Sequence, residues 1–188
     1  GKQACRNWLL FHNPIPNASG ILMRKQAYQK AGRADTSMRL NGDWHLYAKI
    51  LLHHKLAFKA EHLNYFRVHT QTQRHKSRKN ASVYRELVAI NSLIRTKVPK
   101  SRATADKALA EIGDWWIGNL PYHSYTRENR RLNKNLYALF KKHKNNLPWR
   151  IFLTYVISYT RDALTFLHLL KPLKKARSKM FPGKYWDK

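Results

Sequence analysis

The stretch LNGDWHLYAKILLHHKLAFKAEHLNYFRVHTQTQR, residues 40–74, joins a helical pattern to an extended one and carries polar residues suited to chemistry. The apolar residues that recur at helical spacing are Trp44, Tyr47, Ala48 and Leu51. This spacing predicts a helix that packs through one face, with Asp43 at its start. Alternation across residues 63–69 then predicts a strand with Arg67 and His69 on its polar face. The stretch predicts a helix–loop–strand unit that presents a carboxylate, a guanidinium and an imidazole.

The composition indicates a folded protein with an anionic partner. A chain of 188 residues with 43% hydrophobic residues can bury a core, and we expect one compact unit plus an appended helical region. The 37 lysines and arginines against 10 aspartates and glutamates give a formal net charge of +27. This charge predicts binding to nucleic acid, phospholipid headgroups or a phosphorylated small molecule, without selecting among them.

Cysteine content and the opening residues bear on the compartment. Cys5 is the one cysteine, so an internal disulfide is excluded. The opening GKQACRNWLL contains no apolar run of the length that a signal peptide or a membrane span needs. We expect a cytoplasmic protein, or one that is peripheral on the inner membrane face.

Two parts of the chain have different patterns. In residues 1–80, short apolar runs bounded by turn residues predict strands near 19–24 and 55–60, in addition to the strand near 63–69. Residues 81–188 predict a basic helical extension. The expected fold class is therefore α+β and mostly helical, with a partial sheet in the first part.

The break between the two parts is TQTQRHKSRKNAS, residues 70–82, which has no periodic apolar residues. Three stripes at helical spacing follow it: Val83, Leu87, Ile90 and Ile94; Ala105, Leu109, Ile112 and Trp116; Leu132, Leu136, Leu139 and Phe140. Each stripe predicts a helix. Pro148 suits the start of a fourth helix that runs to about Leu170. The charged residues that argue against a membrane span there are Arg150, Arg161 and Asp162.

The order of motifs in the first part resembles the second half of the catalytic domain in family 2 glycosyltransferases. The motifs are SGILMR, a helix that stops at Gly32, Asn41-Gly42-Asp43-Trp44, and a strand pair that ends in LNYFRVH. The resemblance covers Asn13 to Arg74, well under half of the chain. It implies that the predicted strands belong to a GT-A type sheet. It also implies an inverting transferase that uses a nucleotide sugar.

The resemblance implies roles for four residues. Asp43 would be the catalytic base, while Trp44 and Arg67 would contact substrate or support the site. His69 would lie near the diphosphate and touch the divalent metal. Three of these residues have a structural alternative, namely a helix N-cap or first-turn acid for Asp43, core packing for Trp44 and a hydrogen-bonded strand end for His69.

One feature of the family is missing. Family members hold a divalent metal, Mg or Mn, and the nucleotide through an Asp-x-Asp motif ahead of these residues, and no Asp-x-Asp occurs here. If the resemblance holds, the chain is a C-terminal fragment or a protein that has lost its donor-binding half. We expect it to be inactive and metal-free alone, and the full-length enzyme to use a nucleotide-sugar donor and a glycan or lipid-linked acceptor.

Two other function classes stay open. The charge, interleaved with aromatic residues, suits a basic helical nucleic-acid-binding module, although no helix-turn-helix, zinc-finger or RNA-recognition signature is present. The basic and aromatic run at 171–188 suits a noncatalytic membrane adaptor on an anionic membrane surface. The same run also suits a solvated basic tail.

Overall fold

The computed structural model describes residues 1–15, 18–61, 79–144 and 146–166, and within these ranges the protein is helical. Helix α1, Lys2–Ala4, continues into a π-helical turn, Cys5–Leu9. Short 3-10 turns occupy Ala18–Gly20 and Leu120–Tyr122. The other helices are α2 (Lys25–Lys30), α3 (Gly42–Leu51), α4 (Ser82–Lys97), α5 (Arg102–Asn119), α6 (Arg127–Lys141) and α7 (Leu147–Phe166).

The predicted α+β class with a partial GT-A sheet is wrong, because the described ranges contain no strand. The run near 19–24 is a 3-10 turn followed by irregular chain, and the run near 55–60 is irregular and exposed. Leu22 and Phe58 stand in solvent, and all of residues 55–60 are exposed, so neither run is packed into a sheet. A lone extended segment without a paired neighbour is unstable, which explains the failure. The predicted strand near 63–69 lies outside the described residues.

The helical predictions are confirmed. All four residues of the predicted stripe are buried in α3. The stripes of α4, α5 and α6 are also buried, with Val83 and Leu139 half-buried at their edges. Helix α2 ends as predicted ahead of Gly32, whose φ of +75° is the left-handed conformation that glycine adopts most easily. Amphipathic periodicity therefore located the helices correctly.

The chain divides into two compact units, Gly1–Asn145 and Asn146–Lys188. In the first unit α4 is central, because it packs against α3, α5 and α6. The second unit contains α7. Across the described ranges, no helix has the length and apolar content that crossing a bilayer requires. The predicted division at residue 80, with 1–80 and 81–188 given different functions, stays a prediction.

The start of α4 is fixed by a side chain from α6. The Asn129 side-chain oxygen accepts the backbone N–H of Ala81 at 3.0 Å. Its side-chain nitrogen donates to the carbonyls of Lys79 at 2.9 Å and Ser124 at 3.0 Å. Asn129 thus adds to the backbone bond between the Ser124 N–H and the Lys79 carbonyl at 3.0 Å, and it fixes the chain just before α4.

Asn133 of α6 bonds both Trp116 of α5 and a buried histidine, His123, that lies between the two helices in sequence. Oδ1 of Asn133 accepts the indole N–H of Trp116 at 3.0 Å and lies 3.1 Å from Nδ1 of His123. Because that oxygen is an acceptor, Nδ1 carries the proton. His123 is 6% exposed, and within the described part of the chain its Nε2 has no partner. Burial lowers the pKa of His123 below its usual 6.5, partly offset by the Asn133 hydrogen bond.

We expect His123→Gln to reduce the acid sensitivity of the fold. The folded state keeps the imidazole neutral, so the unfolded chain binds more protons as pH falls below 6.5, and the unfolding free energy falls with it. The slope from one such group is at most about 1.4 kcal/mol per pH unit. Urea unfolding at several pH values between about 7.5 and 5 measures this slope of the unfolding free energy against pH. The control is His53→Gln at an exposed position, which should show the wild-type slope. A wild-type slope in His123→Gln would contradict the assignment.

Candidate functional site

Asp43 lies in the first turn of α3, where the sequence placed it. Its side chain is half-buried, and its Oδ1 accepts the backbone N–H of Trp44 at 2.7 Å. No other hydrogen bond to this carboxylate is found among the described residues. A helix N-terminus favours negative charge, so the position suits a carboxylate. Oδ1 is held by the helix, and Oδ2 has no hydrogen-bond partner among the described residues.

The loop that leads into α3 is anchored by a buried carboxylate of α4. Oε1 of Glu86 accepts the backbone N–H of Arg39 at 2.9 Å. Its Oε2 accepts the backbone N–H groups of Leu40 at 3.1 Å and Asn41 at 2.8 Å, and the Asn41 side-chain N–H at 3.3 Å. Glu86 is 1% exposed. It therefore caps α3 from another helix and fixes the backbone just before Asp43.

A second contact ties the same loop to α4. The Arg85 guanidinium donates to the Ser37 carbonyl at 3.2 Å and lies 3.9 Å from the Glu86 carboxylate. Within the loop, Asp35 accepts the backbone N–H of Ser37 at 2.9 Å and its hydroxyl at 2.7 Å. These Ser37 bonds lower the pKa of Asp35 below its usual value. These hydrogen bonds hold residues 35–41 in a bonded turn, which leads directly into the first turn of α3 and Asp43.

Two titratable side chains of α3 follow Asp43. Burial, and then the negative charge of Asp43, raise the pKa of Tyr47, which lies one turn later. Burial lowers the pKa of His45, as does the charge of Lys49. The Tyr47 hydroxyl and the Nδ1 of His45 have no hydrogen-bond partner in the part of the chain that the structure describes. Both shifts favour the neutral form of the side chain.

Trp44 is a core residue. It is 8% exposed, and its indole N–H donates to the Leu9 carbonyl at 3.0 Å. The ring borders a mainly apolar cleft of about 270 Å³ that also touches Leu87 and Trp115. This placement agrees with the core-packing alternative for Trp44. Sugar stacking by Trp44 stays a prediction, and the buried ring does not favour it.

The other two predicted site residues, Arg67 and His69, lie outside the described residues. Their approach to Asp43 stays a prediction. Within the described ranges, no group of three or more His, Cys, Asp or Glu side chains is arranged to hold a metal ion. The predicted Mg or Mn of the full-length enzyme therefore also stays a prediction.

Sequence reasoning missed Glu86 and His45. The sequence did contain a signal for Glu86. This acid falls one residue before Leu87, close to the apolar stripe of α4, and a carboxylate is expected in such a buried position only when it has hydrogen-bond partners. His45 gave no signal, since half-burial of a polar residue beside a stripe depends on what packs nearby.

Comparison with protein-family models, with curated proteins and with solved structures finds no match to this chain. The likeness of residues 13–74 to family 2 glycosyltransferases consequently rests on the residues themselves. The geometry around Asp43 and Glu86 is independent of that likeness.

We expect Glu86→Gln to lower the free energy of unfolding by about 2–4 kcal/mol, because the amide nitrogen would face backbone donors that then lose their acceptor. Chemical denaturation followed by circular dichroism measures this change. The matched control is Glu61→Gln, whose exposed ion pair with Lys59 at 3.2 Å should contribute less than about 1 kcal/mol. Equal effects of the two substitutions would show that Glu86 is not the anchor.

Proposed function

We propose that this chain is the acceptor-side half of an inverting, nucleotide-sugar-dependent glycosyltransferase, with Asp43 as the general base. The observation that supports the proposal is a carboxylate with one oxygen unpartnered among the described residues, at the start of a helix whose preceding loop is bonded to Glu86. A general base must be fixed in direction, and the bond from the Trp44 N–H supplies this for Asp43. Two parts of the motif order support the same function, namely the helix that stops ahead of Gly32 and Asn41-Gly42-Asp43-Trp44 at the start of α3, whereas the strand near 19–24 is absent.

In the proposed reaction, Oδ2 of Asp43 accepts the proton of an acceptor hydroxyl. The acceptor oxygen attacks the anomeric carbon as the bond to the nucleoside diphosphate breaks on the opposite face. The electron pair of that bond leaves with the diphosphate, and the anomeric configuration inverts. The bonded turn of residues 35–41 reduces the motion of the base, which favours a productive approach.

Donor binding is proposed for residues outside the described ranges. By the resemblance, Arg67 would lie against a phosphate and His69 near the diphosphate and the metal. A divalent Mg or Mn, when bound, would stabilise the charge of the departing diphosphate. Because the 188 residues contain no Asp-x-Asp, activity is proposed for this chain joined to a donor-binding half, with a glycan or lipid-linked acceptor.

We expect Asp43→Asn, made in a protein that joins these residues to a donor-binding half, to reduce sugar transfer by about 10²–10⁴-fold, since the amide cannot accept the proton. The transfer rate with saturating donor measures this loss, and donor affinity should be unchanged. Asp106→Asn is the matched control, because Asp106 is exposed and its ion pair among the described residues is with exposed Arg95 at 3.0 Å. A wild-type rate in Asp43→Asn would refute the base assignment.

A second candidate function is a basic nucleic-acid-binding module, and one face of α6 favours it. The exposed cations at this helix are Arg127, Arg130, Arg131, Lys134, Lys141 and Lys142. Phosphate binding by such a face would be strong and would fall steeply with salt, independent of sequence.

For this candidate, we expect the double substitution Arg130→Gln and Lys134→Gln to lower the salt dependence of duplex binding by about two charges. Fluorescence anisotropy across a salt titration measures the slope. The control is Lys107→Gln together with Arg102→Gln on α5, both exposed. Absence of wild-type binding at about 150 mM salt would eliminate the module.

A further inference from the structure

Helix α7 exposes an unusual number of large apolar side chains. Those at least 40% exposed are Trp149, Phe152, Leu153, Val156, Ile157 and Tyr159. The rings of Trp149 and Phe152 stack with centroids 5.4 Å apart, so they form one surface. Monomeric proteins seldom leave so large an apolar patch in water, and such a patch marks an interaction site.

Five of the six exposed apolar residues share one side of the helix, and Ile157 lies about 40° beyond its edge. At 3.6 residues per turn, Trp149, Phe152 and Val156 fall within an arc of about 120° that also takes in Leu153 and Tyr159. This arc contains no charged residue. The charged residues of α7 lie outside it and are Arg150, Arg161 and Asp162. The helix is therefore amphipathic, with the apolar arc bordered by arginine on one side.

Charge identifies what can cover this arc. The chain carries a formal net charge of +27. The residues that contribute to it in the sequence after α7 include Lys171, Lys174, Lys175 and Arg177. Two copies of so cationic a chain repel each other, which disfavours self-association through α7. An anionic bilayer attracts the cations and also offers an apolar layer below its headgroups. Tryptophan and tyrosine are the residues that favour this headgroup zone.

We infer that α7 is an interfacial anchor for an anionic lipid bilayer. The helix lies along the membrane surface, the apolar arc enters the headgroup and acyl boundary, and the arginines meet lipid phosphates. The ligand is a lipid surface rather than a single lipid. This inference does not depend on sugar transfer, and it would hold for a chain with no catalytic role.

Vesicle flotation tests the inference with the full 188-residue chain. The probes are vesicles of phosphatidylcholine alone and of phosphatidylcholine with one quarter phosphatidylglycerol. Wild type should float with the anionic vesicles, stay behind with the neutral ones, and lose binding as salt rises. Phe152→Ser with Val156→Ser should weaken partitioning by roughly tenfold or more, because the apolar area that enters the bilayer shrinks.

The matched control is Phe58→Ser. Phe58 is 88% exposed beside Lys59 in the first unit, so the substitution removes an aromatic ring outside α7 that is more exposed than Phe152 at 55%. Its partitioning should equal that of wild type. Equal partitioning of the double variant and wild type would overturn the inference.

A conservative variant guards against loss of folding. Brominated lipids in anionic vesicles should quench part of the tryptophan emission, and Trp149→Phe should abolish that part while keeping flotation. Persistence of all the quenching in Trp149→Phe would contradict insertion of the arc. The competing occupant of the arc is a second copy of the chain, and sedimentation equilibrium tests for it. If wild type is a dimer, Phe152→Ser with Val156→Ser is a monomer and neither binds vesicles, the arc serves self-association and the inference is overturned.

Discussion

The fold of the first unit depends on one buried carboxylate. Glu86 accepts three consecutive backbone N–H groups from the loop before α3, together with the side chain of Asn41. Buried without partners, either the carboxylate or the amides would destabilise the fold by several kcal/mol, so each is tolerable only because of the other. This mutual requirement fixes the approach of α3 to α4.

Several features follow from that contact. Since α4 also packs against α5 and α6, the loop of residues 35–41 is tied to the centre of the unit rather than to its surface. Asn129 of α6 holds the chain at the start of α4 in the same manner, by bonding backbone groups that no helix or strand satisfies. Helix α4, which α5 and α6 hold in place, thus supports the helix that carries Asp43.

Part of the candidate site could be predicted from the sequence. Asp43 at a helix start was predicted, because a carboxylate before an apolar stripe is a local pattern. The strands near 19–24 and 55–60 were wrong, since a short apolar run becomes a strand only when another strand pairs with it, and the run itself does not say whether one does. Glu86 was overlooked because its partners, residues 39–41, are about 45 positions away in the chain.

Sequence alone determined the helices, the charge and the single cysteine. Amphipathic periodicity reports which face a helix buries, and this property is local, so α3 through α6 were found with their buried stripes. Tertiary structure decided which polar groups share the interior. It bonded the Trp44 indole to the Leu9 carbonyl, paired Glu86 with a distant loop, and placed the uncharged arc of α7 in solvent. The reason is physical: burial of a polar or aromatic group depends on the neighbours that folding brings to it, and those neighbours are not adjacent in sequence.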